Sequence, residues 1–562
     1  MKSREKRISS IGLVFLILII SAVCMLPCLR SGLPCGDDQP VHMLRVECIL
    51  KAFKSGQGYP VYIYQNMLEG YGYGMGIFYP DLFLLPAVLF RALGAPPEIA
   101  MKLYIYVLLV CTCITSYHAG KIIGGRRLVG VVTMILYTMG HYHLEDIYTR
   151  FALGEVTAMV FVPLVFLSLY DLTERDHSRK GLMCVTFSCL LLSHTISFVL
   201  CVMVAVVWCI ARYKRIRADR HLILGILAEA GLCMLITCCY WLPVLEQFAD
   251  GSFYVSKDPA FFNHENTMYL LAIVSGKYSV AFIEVGLLAL FVFASKVKNL
   301  NNKKAMWCLI GAVILLVIET DIFPWKLIDK TPLVSIQFPW RMNMLTEFMV
   351  AVGLSMQLCA VLKLYMNGRR CMVVSIAAGI LIGLFNLNMV GNIELGGYVN
   401  YPERYADAVG NTNSIGFWEW LPAEGDLADT VDSDYKGMVR CGDQYIQGSY
   451  NADGSYEFST DGVQGAYVIP KYYYKGYKAE CVDADGEAHE ETVYKSDEDG
   501  LVKVDVDSHV ELIRVVYKAT WIQQASKILT LFGIVIFPIY MYISTKRQVM
   551  NTEGDINHDK KK

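Results

Sequence analysis

Two adjacent carboxylates, Asp37 and Asp38, stand in a polar stretch between very apolar ones, and Pro40, His42 and Arg45 follow closely. Pro40 suits the first turn of a helix, because its missing N–H would lack a partner there anyway. A helix from Pro40 to about Ser55, ended by Gly56, places Asp38, His42 and Arg45 on one face at three- and four-residue spacing. Tyr59, Tyr62, Tyr64, Tyr71, Tyr73, Phe78 and Tyr79 come next, interleaved with glycines. Carboxylate, imidazole, guanidinium and aromatic faces together suit a sugar and a phosphate. The same tyrosines fit an aromatic belt at the headgroup level of a membrane equally well.

More ionisable residues sit beside apolar runs further along: His141, His143, Glu145, Asp146, Arg150 and Glu155, then His194, then Arg341. Taken singly, each has an ordinary reading. Arg150 and Arg341 could snorkel to headgroups, His194 could be a hydrogen-bonded core histidine, and Glu145 and Asp146 could be solvated loop residues. Taken together, groups of this kind at the edge of a helix bundle mark sites, because they are costly unless paired or facing water. The chemistry that uses them is glycosyl transfer from a lipid-phosphate sugar. A carboxylate removes the acceptor hydroxyl proton, and arginines or a divalent cation stabilise the departing phosphate. Asp37 and Asp38 are the candidate catalytic pair, with His42, Arg45, Arg150, Glu155, His194 and Arg341 as candidate substrate-binding residues. Asp38, nearest the helix start, reads as a cap or metal ligand with a lowered pKa. That leaves Asp37 as the expected base. No cofactor is demanded, and a divalent cation at Asp38 is the addition the residues leave room for.

The elements that must position these residues are membrane helices. The chain has 562 residues, 55% of them hydrophobic, with a mean hydropathy of +0.40. Only 18% are charged, against roughly 25% in soluble domains. Apolar runs of spanning length recur, which predicts an α-helical polytopic membrane protein. A net charge of −2 gives nucleic acid no purchase. Lys2, Arg4, Lys6 and Arg7 before the first run hold the N-terminus in the cytoplasm and send Asp37 and Asp38 outside. Basic clusters then alternate consistently with about twelve spans, both termini inside. One long run, 181–211, has basic residues at both ends and so reads as two short helices meeting near Ser193 and His194. His221 to Leu245 reads as one outward span, and Leu82 to Leu93, too short to cross, as a juxtamembrane helix.

From Gly396 to Thr520 the composition turns polar and acidic, with alternating segments and Asp-Gly turns. This predicts a small β-rich domain outside the membrane before the last helix, with Asp461-Gly462 and Asp499-Gly500 as hairpin turns. The domains are then 1–395, with the outer loop 31–97 inside it, 396–520, and 521–562. Most of the 18 cysteines lie in apolar runs as small hydrophobes. Cys441 and Cys481, in the polar segment, are equally compatible with a disulfide and with two buried thiols. No cysteine spacing with nearby histidines suggests zinc.

A resemblance covers nearly the whole chain. It rests on Asp37-Asp38-Gln39-Pro40-Val41-His42-Met43-Leu44-Arg45, on the Gly-Tyr run ending Phe78-Tyr79-Pro80, and on Tyr148-Thr149-Arg150-Phe151-Ala152-Leu153-Gly154-Glu155. Leu192-Ser193-His194, Tyr240-Trp241-Leu242-Pro243, Gln337-Phe338-Pro339-Trp340-Arg341 and Ile469-Pro470-Lys471-Tyr472-Tyr473-Tyr474-Lys475-Gly476-Tyr477 complete it. In these motifs the chain resembles the YfhO-like and 6-pyruvoyl-tetrahydropterin synthase-related bacterial membrane proteins, within the GT-C glycosyltransferase superfamily. The resemblance implies a GT-C-like fold and an acidic motif in the first outer loop, matched here by Asp37 and Asp38. It also implies a polyprenyl-phosphate-linked sugar as donor, and a cell-envelope glycan, teichoic acid or protein as acceptor. The expected place is a bacterial plasma membrane. The pterin-synthase name implies no pterin chemistry, since the sequence shows no zinc-binding histidine triad. Two rival readings are a lipid or polysaccharide flippase or transporter, which would call for polar residues deep inside several spans and related halves, neither of them clear in the sequence, and a non-catalytic envelope-assembly scaffold.

Overall fold

Residues 9–257, 261–269, 282–297, 302–392, 398–399, 418–424, 435–507 and 509–559 are described in a computed structural model of the protein. The basic residues Lys2, Arg4, Lys6, Arg7 and Lys298, and the stretch 400–417, lie outside them. Two bodies make up the rest: a bundle of apolar helices and a β-sandwich inserted before the last helix.

Among the described residues each apolar run singled out above carries helix, from Ser10–Cys24 to Trp521–Asp559. Five helices have the length and apolarity to cross a membrane: Pro97–Ile123, Leu153–Glu174, Pro339–Tyr365, Gly368–Gly391 and Trp521–Lys546. Several others, such as Ser10–Cys24 and Thr195–Ala211, are apolar but shorter. The run expected to be one straight span after His221 is instead two helices, Arg220–Ile236 and Cys238–Asp250, bent by 70°. Thr237 sits at the corner, its hydroxyl donating to Cys233 O at 2.8 Å. A threonine bonded back to the preceding turn favours a bend, and Pro243, inside the second helix, has no N–H to give the Cys239 carbonyl and adds to it. The Cys239 N–H just past the corner donates to Thr530 Oγ1 of the last helix at 2.9 Å. The run 181–211 is broken too: Leu182–Leu191 and Thr195–Ala211 meet at His194, which caps the second helix.

The β-sandwich packs two five-stranded antiparallel sheets. One runs Val493–Lys495, Leu501–Val506, Gly465–Tyr472, Met438–Cys441, Gln444–Gln447. The other runs Ser449–Tyr450, Tyr456–Ser459, Val510–Tyr517, Tyr477–Asp483, Ala488–Glu491. Asp499-Gly500 turns a hairpin between Val493–Lys495 and Leu501–Val506. Asp461-Gly462 does not, because its flanking strands belong to different sheets. Thr460 N–H donates to Glu511 O and its hydroxyl to Val510 O, so this end of the strand stays with Val510–Tyr517 while the turn carries the chain across. Cys441 and Cys481 lie in opposite sheets as free thiols, which removes the disulfide.

The glycine- and tyrosine-rich loop after the first helix is tied to this sandwich rather than to a headgroup layer. Tyr64, Tyr71 and Tyr73 are buried. Tyr472 N–H donates to Tyr71 O at 3.0 Å, and Gly437 N–H to Tyr71 Oη at 3.1 Å. The loop's glycines make the fit possible. A Cβ on Gly70, at φ 99°, would meet the Tyr450 ring at 2.8 Å, and one on Gly74 would strike Tyr474. Lys471, fully buried, clamps the contact, donating to Gly70 O at 2.7 Å, Gly454 O at 2.8 Å and Gln65 Oε1 at 3.2 Å. Burial pushes its pKa down to about 7, partly offset by Asp453. We expect Lys471→Met to free the loop, read as faster proteolysis within 57–76 at unchanged helix content. The wild-type melting temperature should also rise between pH 7 and about 10, because the unfolded lysine, at pKa roughly 10.4, binds more protons there than the folded one. Lys471→Met should lose that slope.

Candidate functional site

The Gln39–Lys54 helix begins where the sequence places it, after Asp38, but the Asp38 side chain accepts no hydrogen bond from it. The residue's φ of −94° and ψ of 4° differ from the extended backbone of a capping residue. Instead the Asp38 N–H donates to Arg150 O at 2.8 Å. Gly36 lies flat against the same turn, where a Cβ would meet the Cβ of Phe151 at 2.5 Å. Both aspartates are exposed although protein surrounds Asp38, so they open on a cavity rather than on a free surface. The cap reading of Asp38 falls, and with it the lowered pKa. Burial raises the pKa of Asp38; Arg150 and Arg341 draw it down, and Asp37 and Glu155 push it up again.

Arg150 and Arg341 come from separate parts of the bundle. Arg150 follows the short helix His141–Tyr148 and spends Nη1 on Asp146, on Glu155 Oε2 at 3.2 Å and on Tyr142 Oη at 3.3 Å. Its guanidinium also stacks on the Trp340 ring at 4.3 Å. Arg341, 8% exposed, donates through Nη1 to Ile336 O at 2.9 Å and Gln337 Oε1 at 3.0 Å. Among the described residues its Nε has no hydrogen-bond partner, and Glu155 Oε2 lies 3.6 Å away. Arg341 therefore carries a donor, Nε, that no hydrogen bond uses among the described residues. Gln337 Nε2 in turn donates to Glu419 Oε1 at 2.7 Å, which brings a carboxylate from the segment before the sandwich to the same cavity.

Arg45 and His42 form a second, closed group below the first. Arg45, 1% exposed, is paired with Asp81 through Nε at 3.1 Å and through Nη2, which also donates to Pro80 O at 2.9 Å. Tyr64 Oη donates to the other Asp81 oxygen, and His42 Nδ1 lies 3.3 Å from Arg45 Nη1. Burial opposes the charge on Arg45, but Asp81 outweighs it and the pKa rises. Burial, then Arg45, holds His42 neutral. With its donors committed, Arg45 acts as a strut. The Tyr79 ring covers it at 3.9 Å and lies 6.0 Å from His194. Tyr79 reaches both groups, since its hydroxyl packs on Gly154 and its pKa, pushed up to about 12 mainly by burial, also feels Arg45 and Asp38.

Asp38, Arg150, Glu155 and Arg341 thus meet at one cavity, with Asp37 at its mouth and Tyr79 and His194 on its wall. Sequence reasoning named Tyr79 only among the loop's aromatic faces, and missed Tyr142, Asp81, Gln337 and Glu419. Gln337 and Tyr79 lie inside quoted motifs, whereas nothing around Glu419 in the sequence marks it. His141 and His143 are buried; His141 Nδ1 lies 3.7 Å from Glu145 Oε2, and His143 Nδ1 lies 3.0 Å from Thr138 O. Among the described residues no three His, Cys, Asp or Glu side chains converge in metal-ligating geometry.

An apolar helical bundle with an ion-paired cavity at one end and a β-sandwich over it defines a polytopic membrane protein. Residues 77–391, more than half of the chain, match the 6-pyruvoyl-tetrahydropterin synthase related domain, a membrane protein, and the chain belongs to that family. A protein of Lactococcus lactis subsp. cremoris (strain MG1363), titled only "Uncharacterized protein", is 22% identical over 333 residues, 55% of this chain and 54% of its own. The chain spans about half the length of that curated relative.

Two outcomes follow from the geometry. Arg45→Ala, which strands Asp81 as a buried lone charge, should cost about 3–5 kcal/mol of stability, and Arg45→Met with Asp81→Leu should cost less, by thermal melts in detergent. In infrared titrations, Asp37→Asn should move the Asp38 transition to lower pH and Arg341→Gln to higher pH, because the first removes a like charge and the second an opposite one.

Proposed function

We propose that the protein is a membrane glycosyltransferase that moves a sugar from a polyprenyl-phosphate donor to a cell-envelope acceptor at the outer face of a bacterial plasma membrane. One observation carries the reading: two water-accessible aspartates share a cavity with Arg341, whose Nε has no hydrogen-bond partner among the described residues. Asp38, whose pKa burial raises, serves as the base and takes the proton from the acceptor hydroxyl. The hydroxyl oxygen attacks the anomeric carbon as the bond from sugar to phosphate breaks. Arg341 Nε donates to the phosphate oxygen that gains charge, and Arg150 holds Glu155 and Trp340 in place beside it. This assignment reverses the order expected from the helix start, because the cap that was to occupy Asp38 is not made.

Asp37, Asp38, Asp146, Glu155 and Glu419 outnumber Arg150 and Arg341 around the cavity. Asp37 and Asp38 suit a divalent cation of the kind held by one or two carboxylates together with substrate phosphate. Such a cation would offset the excess negative charge as the donor enters. The acceptor comes from the sandwich side, which the expected arrangement of about twelve spans with both termini inside would set outside the cell.

Deletion of the gene should remove one glycan from the envelope, and Asp38→Asn should fail to restore it while folding and inserting normally. Full restoration by Asp37→Asn with Asp38→Asn together would refute the enzyme reading. Single cysteines at Gly58 and Asp485, both exposed, should react with impermeant reagents on protoplasts, and one at Lys303 should not.

A second reading, a flippase or transporter, has an observation in its favour. Glu347 and Asn386 are fully buried in apolar helices, and Glu284 is 2% exposed. Glu347 accepts the N–H groups of Tyr142 at 2.9 Å and His143 at 3.2 Å, and Asn386 donates to Glu284 at 2.8 Å. Such intramembrane carboxylates are the polar residues a transport path requires. In proteoliposomes, movement of a lipid-linked sugar across the bilayer that is lost in Glu347→Gln, with no transfer to any acceptor, would favour it.

A further inference from the structure

Just before Arg341 the backbone takes a strained form. Gln337 sits at φ 64° and ψ −47°, and the Phe338 N–H donates to Ile336 O at 2.7 Å. This is a γ-turn of the rare positive-φ kind. Glycine would adopt it without penalty, so it is the side chain at 337 that repays the strain, and residues held this way cluster at functional sites.

The amide of Gln337 is used at both ends. Oε1 accepts from Arg341 Nη1 at 3.0 Å, and Nε2 donates to Glu419 Oε1 at 2.7 Å. Its orientation is fixed by chemistry, since a guanidinium offers only donors and an ionised carboxylate only acceptors. Neither a charged nor an apolar end group serves both neighbours. Glutamate would accept from Arg341 but face Glu419 with like charge, lysine would do the reverse, and leucine would do neither. The turn's own carbonyl, Ile336 O, accepts from the same Arg341 Nη1 at 2.9 Å. Two acceptors on one nitrogen set the plane of the guanidinium and leave Nε beside Glu155, without a hydrogen-bond partner among the described residues.

Glu419 is itself anchored. Its carbonyl accepts from Val255 N–H at 3.0 Å, and the next residue, Trp420, stacks on Phe78 with ring centroids 4.9 Å apart. Trp420 N–H also meets Tyr73 Oη at 3.4 Å. The segment 418–424 therefore sits between the cavity, the Gly-Tyr loop and the sandwich.

We infer that Gln337 is a positioning residue that aims Arg341 at an anion in the cavity and ties that aim to the segment 418–424. An anion that engages Arg341 then steadies Glu419, and the placement of Glu419 sets anion affinity in return, because coupling between two sites is reciprocal. The inference rests on Arg341 as the anion ligand.

Full-length protein in nanodiscs is titrated with geranyl phosphate, a short soluble lipid phosphate, while amide hydrogen exchange is followed across 418–424. Wild type should bind, and binding should slow exchange in that segment. Gln337→Leu and Gln337→Glu should each bind about tenfold more weakly and lose the slowing. Q337E combined with E419Q exchanges the two end groups, so that the carboxylate accepts from both Arg341 and the relocated amide, and should recover both. That rescue separates positioning from packing, because the double variant changes no volume appreciably. Binding lost in Arg341→Ala but unchanged in Gln337→Leu leaves the anion reading intact and overturns the role of Gln337 alone. A double variant no better than Gln337→Glu also overturns it. Absence of binding by wild type overturns the anion reading and this inference with it.

Discussion

Arg45 is a guanidinium sealed from water, and the closed end of the cavity is arranged around keeping it charged. Asp81 supplies the counter-charge, Pro80 a carbonyl, Tyr64 the second bond to the carboxylate, and Tyr79 an aromatic face. A charge taken out of water in this way is tolerable only if every donor is met, and an incomplete set is worse than an apolar replacement. The requirement fixes the Gln39–Lys54 helix against the turn at Pro80 and Asp81. With the helix fixed, Asp37 and Asp38 are fixed too, since they form its entrance. Tyr79, pinned over Arg45, then becomes the wall against which Gly154 and His194 pack.

The two halves of the site solve opposite problems with the same residue types. The Arg45 group is closed, and its neutral histidine and paired charges leave nothing for a ligand. The Arg341 group is open, with exposed aspartates, a guanidinium donor left unmet among the described residues and a carboxylate brought in from the outer segment. Arg150 sits between these extremes, ion-paired with Asp146 and Glu155 yet bordering the cavity. Rigid scaffolding beneath and unsatisfied donors above are what a binding site for a charged group requires.

Much of the architecture is legible in the sequence because membrane helices and strands obey simple periodicities. Basic clusters at both ends of 181–211 force a break, and His194 stands at it. Alternation and Asp-Gly pairs announce a β domain, and the sandwich has that character. The bend at Thr237 is not announced, because a hydroxyl bonding back one turn leaves hydropathy unchanged. Asp461-Gly462 has the chemistry of a hairpin turn, but which strands flank it is decided by pairing with Val510–Tyr517, far along the chain. Asp38 has the position of a cap, yet Arg150 claims its N–H and turns the residue away from the helix. Asp81 and Glu419 matter only through partners distant in sequence, and no local pattern encodes that. Tyr64, Tyr71 and Tyr73 have the composition of an interfacial belt, while their glycine neighbours shape them for protein contact instead.

The union of that loop with the sandwich joins residues very far apart. Gln65 and Lys471 are separated by 406 positions, and Gln57 and Asp453 by 396. At a synthesis rate of roughly 5–20 residues per second, the loop leaves the ribosome about 20–80 s before the strand that is to cover it. Throughout that interval the contacts of the loop with Tyr450, Tyr472 and Lys471 are missing. The newborn protein therefore passes through a long stage in which its helices are inserted and its polar end is bare.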